Sequence, residues 1–135
     1  MGTKERAGMC VQEINVYLVP SFQGKFLVVR RRGSNIWEFP GGGVDWGEDP
    51  YAAAIRECKE EIGLAPHSLK LVGVTSATYE KEGAKKHSIY IVYKGEISSD
   101  KYELGLEHEE GRWVSSTELQ FMHLGLNAQD IPQML

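Results

Sequence analysis

The chain has 135 residues, 41% apolar and 25% charged, which suffices for one globular domain spanning 1-135 with its own core and is short for two. Fifteen basic against nineteen acidic residues leave a formal charge of -4, which argues against a nucleic-acid polymer or an anionic membrane as partner. Cys10 and Cys58 lack CxxC partners, and MGTKERAGMC has neither an apolar core nor, with Arg6 at the decisive place, a myristoylation pattern, so a cytoplasmic chain with reduced thiols and no leader or anchor is expected.

Ile14 to Val19 and Phe26 to Val29 are rich in beta-branched and aromatic residues and flank the turn-like PSFQG, which predicts two strands joined by a short loop. The glycine- and proline-dense WEFPGGGVDWGEDP then predicts an irregular loop. At its end Asp49 suits an N-cap, Pro50 the first helical position and Gly63 the C-terminal stop of a helix with Ile55, Cys58 and Ile62 on its apolar stripe. Leu69 to Tyr79 and Ser88 to Tyr93 read as strands around a long charged tip, EKEGAKKH, and Arg112 to Ser115 as a further strand. Ser115 and Glu118 form a capping-box signature that starts a second helix. Strands interrupted by two helices predict an α+β class or a mixed-sheet sandwich with helices outside.

Glu57, Glu60 and Glu61 share one helix face, where like charges repel. They are either solvated surface acids softened by Arg56 and Lys59, or ligands for hard divalent cations such as Mg²⁺ or Mn²⁺. Gly41, Gly42 and Gly43 just before the helix favour the second reading, because a backbone without side chains can approach a phosphate or offer a carbonyl to a metal.

Gly42, Glu48, Arg56, Glu57, Cys58, Glu60, Glu61, Gly63 and Leu64 occupy every specified position of G-x5-E-x7-R-E-u-x-E-E-x-G-u, where u is apolar. In this the chain resembles the Nudix hydrolases, with Cys58 where a larger aliphatic residue is more usual. The resemblance implies the Nudix fold, a mixed β-sheet sandwiched between α-helices, and hydrolysis of a pyrophosphate bond in a nucleoside diphosphate linked to another moiety. It further implies Mg²⁺ (Mn²⁺ as substitute) on Glu57, Glu60 and Glu61. Arg56 would orient a box carboxylate, Glu48 would act in the second layer or through water, and the Gly41 carbonyl would add a ligand. Similarity to the MutT-type branch adds Glu107, six residues before Trp113, as a further ligand. Family members use either a box glutamate or an acid of a later loop as general base; Glu57 is favoured, and LEHEEGRW offers Glu107, Glu109 and Glu110 as the loop alternatives.

For the substrate, a small nucleotide, Arg31 matches a substrate-contacting arginine of the MutT-like pattern, and Gly42 would admit a phosphate. Trp46, in the glycine loop, is the better stacking candidate for a base. Tyr79 resembles a tyrosine of dinucleoside polyphosphate hydrolases, while Trp37 and Tyr79 both alternate with core-like residues. A (d)NTP or related nucleotide is therefore expected, with dinucleoside polyphosphates, ADP-ribose or nucleotide sugars, and a non-catalytic nucleotide-binding module, as alternatives. Homodimers are frequent in the family, although no interface is readable. His67, His87, His108 and His123 lack zinc-site spacing, and His108 is expected to be an ordinary surface residue.

Overall fold

The computed structural model describes residues 8-135; the amino-terminal stretch with Arg6 lies outside the described residues. Its elements are β1 (Cys10–Phe22), β2 (Lys25–Arg31), β3 (Trp37–Glu38), β4 (Gly41–Gly43), α1 (Pro50–Ile62), β5 (His67–Lys81), β6 (Ala84–Glu96), β7 (His108–Val114), α2 (Ser116–Leu119) and a 3-10 turn, Ile131–Met134. All strands belong to one mixed sheet of order β3-β2-β1-β6-β5, with β4 on β1 and β7 on β2. β1 runs parallel to β6 from Cys10↔Lys85 to Ser21↔Glu96, and the other pairings are antiparallel. No described helix is long and apolar enough to cross a membrane.

Alternation along β1 divides the core. Val16 and Leu18 pack with Leu27, Val29 and the α1 residues Ala53, Ala54, Cys58 and Ile62 on one face. Tyr17 and Val19 pack with Trp37, Phe39, Leu119, Leu124 and Ile131 on the other, beneath the carboxyl-terminal segment. The sheet is thus covered on both faces, as the α+β expectation required. Of the predicted stripe of α1, Cys58 and Ile62 are buried and Ile55 only partly so, and Ala53, Ala54 and Glu61 complete the buried side. A close-packed helix needs a small side chain against the sheet.

The two hairpins are tighter than the expected loops. Phe22 pairs with Lys25 and Lys81 with Ala84, leaving two-residue turns at Gln23-Gly24 and Glu82-Gly83. All four residues have positive φ, from 49° to 79°, the geometry that matches the twist of the flanking strands. PSFQG and EKEGAKKH are therefore mostly strand. Likewise the strand expected at Arg112 begins already at His108.

Candidate active site

α1 is built from local signals. Asp49 accepts a hydrogen bond from the Tyr51 N–H at 2.8 Å, and Gly63 closes the helix in the left-handed conformation at φ 71°. The helix lies against β1 and β4, so Arg56, Glu57 and Glu61 face the Gly41–Gly43 strand, with the exposed Glu60 beside Arg56.

Arg56 organises this surface. Its Nε and Nη2 donate to both oxygens of Glu48 at 2.8 and 2.9 Å, its Nη1 donates to Glu57 at 3.0 Å and to Glu60 at 3.4 Å, and Nη2 also reaches the Gly43 carbonyl at 3.0 Å. The two-pronged bond to Glu48 uses the fork geometry that lysine lacks. It holds the Glu48 carboxyl down to about 2, with the Asp45 N–H adding to the effect. Glu57 lies over Gly42: a Cβ on Gly42 would stand 2.7 Å from Glu57 Oε1. The room expected there for a phosphate is taken by a carboxylate of the protein.

Glu61 is buried among acids. Burial first, then the hydrogen bond and charge of Glu57 and the charge of Glu107, push its carboxyl well above the usual carboxylate range, and the Gly41 N–H, 3.4 Å away, pulls only weakly the other way. Cys58 on the same helix has its thiol pushed up to about 12 by burial and by Glu61, which leaves it an inert core residue.

His108, expected on the surface, is instead 1% exposed. Its position opposite Arg31 in the β2–β7 register carries it into the interior, where Nε2 lies 2.8 Å from Glu38 Oε2 and Nδ1 lies 3.7 Å from Glu61 Oε1. Glu38 in turn accepts from Arg31 at 2.8 Å. Burial works against the charge of Glu38, but the hydrogen bonds from His108 and Arg31 outweigh it and keep the carboxyl below its ordinary value. Neither Glu38 nor the burial of His108 is visible in the sequence pattern, where the one signal is the closeness of His108 to the candidate ligand Glu107.

Among the described residues, one oxygen of Glu61, one of Glu107 and a ring nitrogen of His108 lie within 4.8 Å of one another. Crowded acids, a buried carboxyl and a buried His108 Nδ1 without a hydrogen-bond partner make a donor set whose repulsion a divalent cation relieves. The residues present fit such an ion.

Beside this centre a cavity of about 580 Å³ is lined by Tyr17, Arg31, Tyr79, Ser88, Tyr90 and Asn127, among others. Tyr17 and Tyr90 are stacked with ring centroids 4.1 Å apart, and burial pushes the Tyr90 phenol up to about 12 and that of Tyr17 higher still, so both remain protonated. The Asn127 side-chain oxygen is buried without a partner. Arg31 and Tyr79 thus meet at one cavity. Trp46 is fully exposed on the turn before α1 and is not among the lining residues, while Trp37 is in the core. Arg30 and Arg32 are engaged by Glu109 and Glu110, and by Glu109 and the Leu106 carbonyl, respectively.

The family profile described as NUDIX domain matches residues 12-134. The chain belongs to the Nudix family. An RNA pyrophosphohydrolase of Marinomonas sp. (strain MWYL1) is 47% identical over 53 residues, covering 39% of this chain and 33% of that protein. The alignments span about a third of the length of the curated relatives that this Nudix chain matches. Among solved structures, a MutT NUDIX hydrolase from Burkholderia pseudomallei superposes with a TM-score of 0.81 at 23% identity, over 93% of this chain and 98% of that one, a likeness of fold. A MutT protein from Methanosarcina mazei Go1 gives 0.74 at 28% identity, over 97% and 94%.

Proposed function

We propose that this Nudix chain is a divalent-metal-dependent pyrophosphohydrolase that cleaves a phosphoanhydride bond in a nucleoside diphosphate linked to another moiety, with a (d)NTP or related nucleotide as substrate. The observation that carries this reading is the Arg56 clamp, which gathers Glu48, Glu57 and Glu60 on one face of α1 beside the buried Glu61.

In this reading Glu57, Glu60, Glu61 and Glu107, with the Gly41 carbonyl, hold Mg²⁺ or Mn²⁺, and Glu48 fixes Arg56 rather than an ion. When bound, such ions offset the diphosphate charge and lower the pKa of a water. Glu57 accepts the proton of the attacking water, because Arg56 holds its Oε1 and the bare Gly42 lets the carboxylate stand where a side chain would clash with it. Arg31 and Tyr79 receive the nucleotide at the adjoining cavity, and Arg31, restrained by Glu38, offers its remaining donors to a phosphate. Trp46 is free to stack on whatever extends past the glycine loop.

The test is hydrolysis of a panel of (d)NTPs, ADP-ribose, nucleotide sugars and dinucleoside polyphosphates with and without Mg²⁺. Cleavage of a triphosphate that stops in EDTA is expected, and a folded protein that cleaves nothing would favour a binding module. The names of the relatives favour a second reading, removal of pyrophosphate from a 5′-triphosphorylated RNA. The charge of -4 speaks against a long polymer track, so a short triphosphorylated oligoribonucleotide belongs on the panel.

A further inference from the structure

His108 carries an inference that rests on the metal-dependent reading above and concerns which metal the centre takes. The ring is wedged between two carboxylates of different kinds. Glu38 also accepts from Arg31 and stands 2.8 Å from Nε2, so it takes the Nε2 hydrogen and leaves Nδ1 as the position that bears a lone pair. Nδ1 faces Glu61 Oε1 at 3.7 Å, too long for a hydrogen bond, and has no partner although it is fully buried. A nitrogen lone pair facing carboxylate oxygens beyond hydrogen-bond reach is an arrangement that a cation between them satisfies. A carboxylate that pins one ring nitrogen while the other is bare is the arrangement metal-binding histidines adopt.

We propose that His108 Nδ1, with Glu61 and Glu107, forms a nitrogen-containing metal site that takes a first-row transition-metal dication in preference to Mg²⁺. A nitrogen ligand favours the later first-row dications such as Co²⁺ and Zn²⁺ most, Mn²⁺ less, and Mg²⁺, which demands oxygen and keeps its waters, least. Glu38 is then a positioning residue that fixes the ring and its tautomer.

The experiment uses the full chain labelled with ¹⁵N-histidine and Mn²⁺ alone, read by pulsed EPR, with Mn²⁺ and Mg²⁺ affinities measured by calorimetry. A nitrogen hyperfine coupling that changes on labelling is expected, together with an Mn²⁺ affinity at least about tenfold above that for Mg²⁺. His108→Gln should abolish the coupling and lower Mn²⁺ affinity by about 10- to 100-fold while Mg²⁺ affinity changes by less than about threefold. Glu38→Gln should weaken Mn²⁺ binding in the same direction. Because the labelled native protein is itself diagnostic, a His108 variant that fails to fold does not rescue the proposal. Mn²⁺ bound with no nitrogen coupling, or a loss that is equal for both metals, overturns it. Bound Mn²⁺ without nitrogen coupling in a protein that still hydrolyses nucleotides leaves the proposed function standing, whereas a coupled site in a protein inert toward the whole panel removes the function and keeps the site.

Discussion

A single guanidinium spends its donors on Glu48, Glu57, Glu60 and the Gly43 carbonyl, so the acidic face of α1 is held by one side chain. Arg56→Lys keeps the charge and loses the fork; it is expected to lower kcat by about 10- to 100-fold through misplaced carboxylates, with the far-ultraviolet spectrum unchanged. Glu60→Gln is expected to cost about 10²- to 10⁴-fold in kcat with thermal stability retained, since Glu60 is mostly exposed and an amide is a poor ligand for a hard cation. Glu61 and Glu48 respond to pH in opposite senses. The Glu61 carboxyl is raised on folding, so the stability it contributes is present below the unfolded value near 4.5 and is lost as pH rises above it. Urea midpoints measured in EDTA should fall from pH 5 to pH 9, and Glu61→Gln should flatten that fall and raise the midpoint at pH 8. Glu48 is depressed, so its contribution is present above 4.5 and lost as pH falls toward 2. Glu48→Gln should flatten the acid limb over that interval.

At the scale of elements, α1 is the part most legible in sequence because its determinants are local. The Asp49 cap, Pro50 and the left-handed Gly63 each act within a turn of the residues they satisfy. Asp49→Ala should cost about 1 kcal/mol in urea denaturation, with catalysis in the folded population unaffected. The hairpin turns were less legible, since Gln23 and Glu82 are not the asparagine or aspartate that usually precedes glycine in such turns, and the register of the paired strands enforces their positive φ. The centre divides along the same line. Glu57, Glu60 and Glu61 sit on one helix and are visible as a spacing, whereas Glu38 and His108 meet through two separate pairings of β2, with β3 and with β7, that no short window contains. A bulge between Arg30 and Arg31 shifts that register, which defeats simple alternation as a guide to where His108 points.

Taken whole, the molecule sets an acidic centre and an aromatic cavity on a sheet covered on both faces, and in the proposed metal-dependent reading the donor set for the ion is assembled only in the folded chain. Saturating Mn²⁺ should therefore raise the melting temperature, by the equivalent of about 2.7 kcal/mol at a hundredfold excess over Kd, and Glu61→Gln should abolish the shift. The parallel pairing of β1 with β6 joins residues some 75 positions apart in the chain. Everything that builds the centre, from Arg31 through α1, lies inside that span, with only the β7 end beyond it. Closing so wide a loop before its contacts repay the entropy predicts slow refolding, on the order of milliseconds to seconds. In stopped-flow refolding, the protein should acquire helix signal before it acquires affinity for Mn²⁺, because α1 can wind on its own caps while its carboxylates wait for the two distant strands to meet.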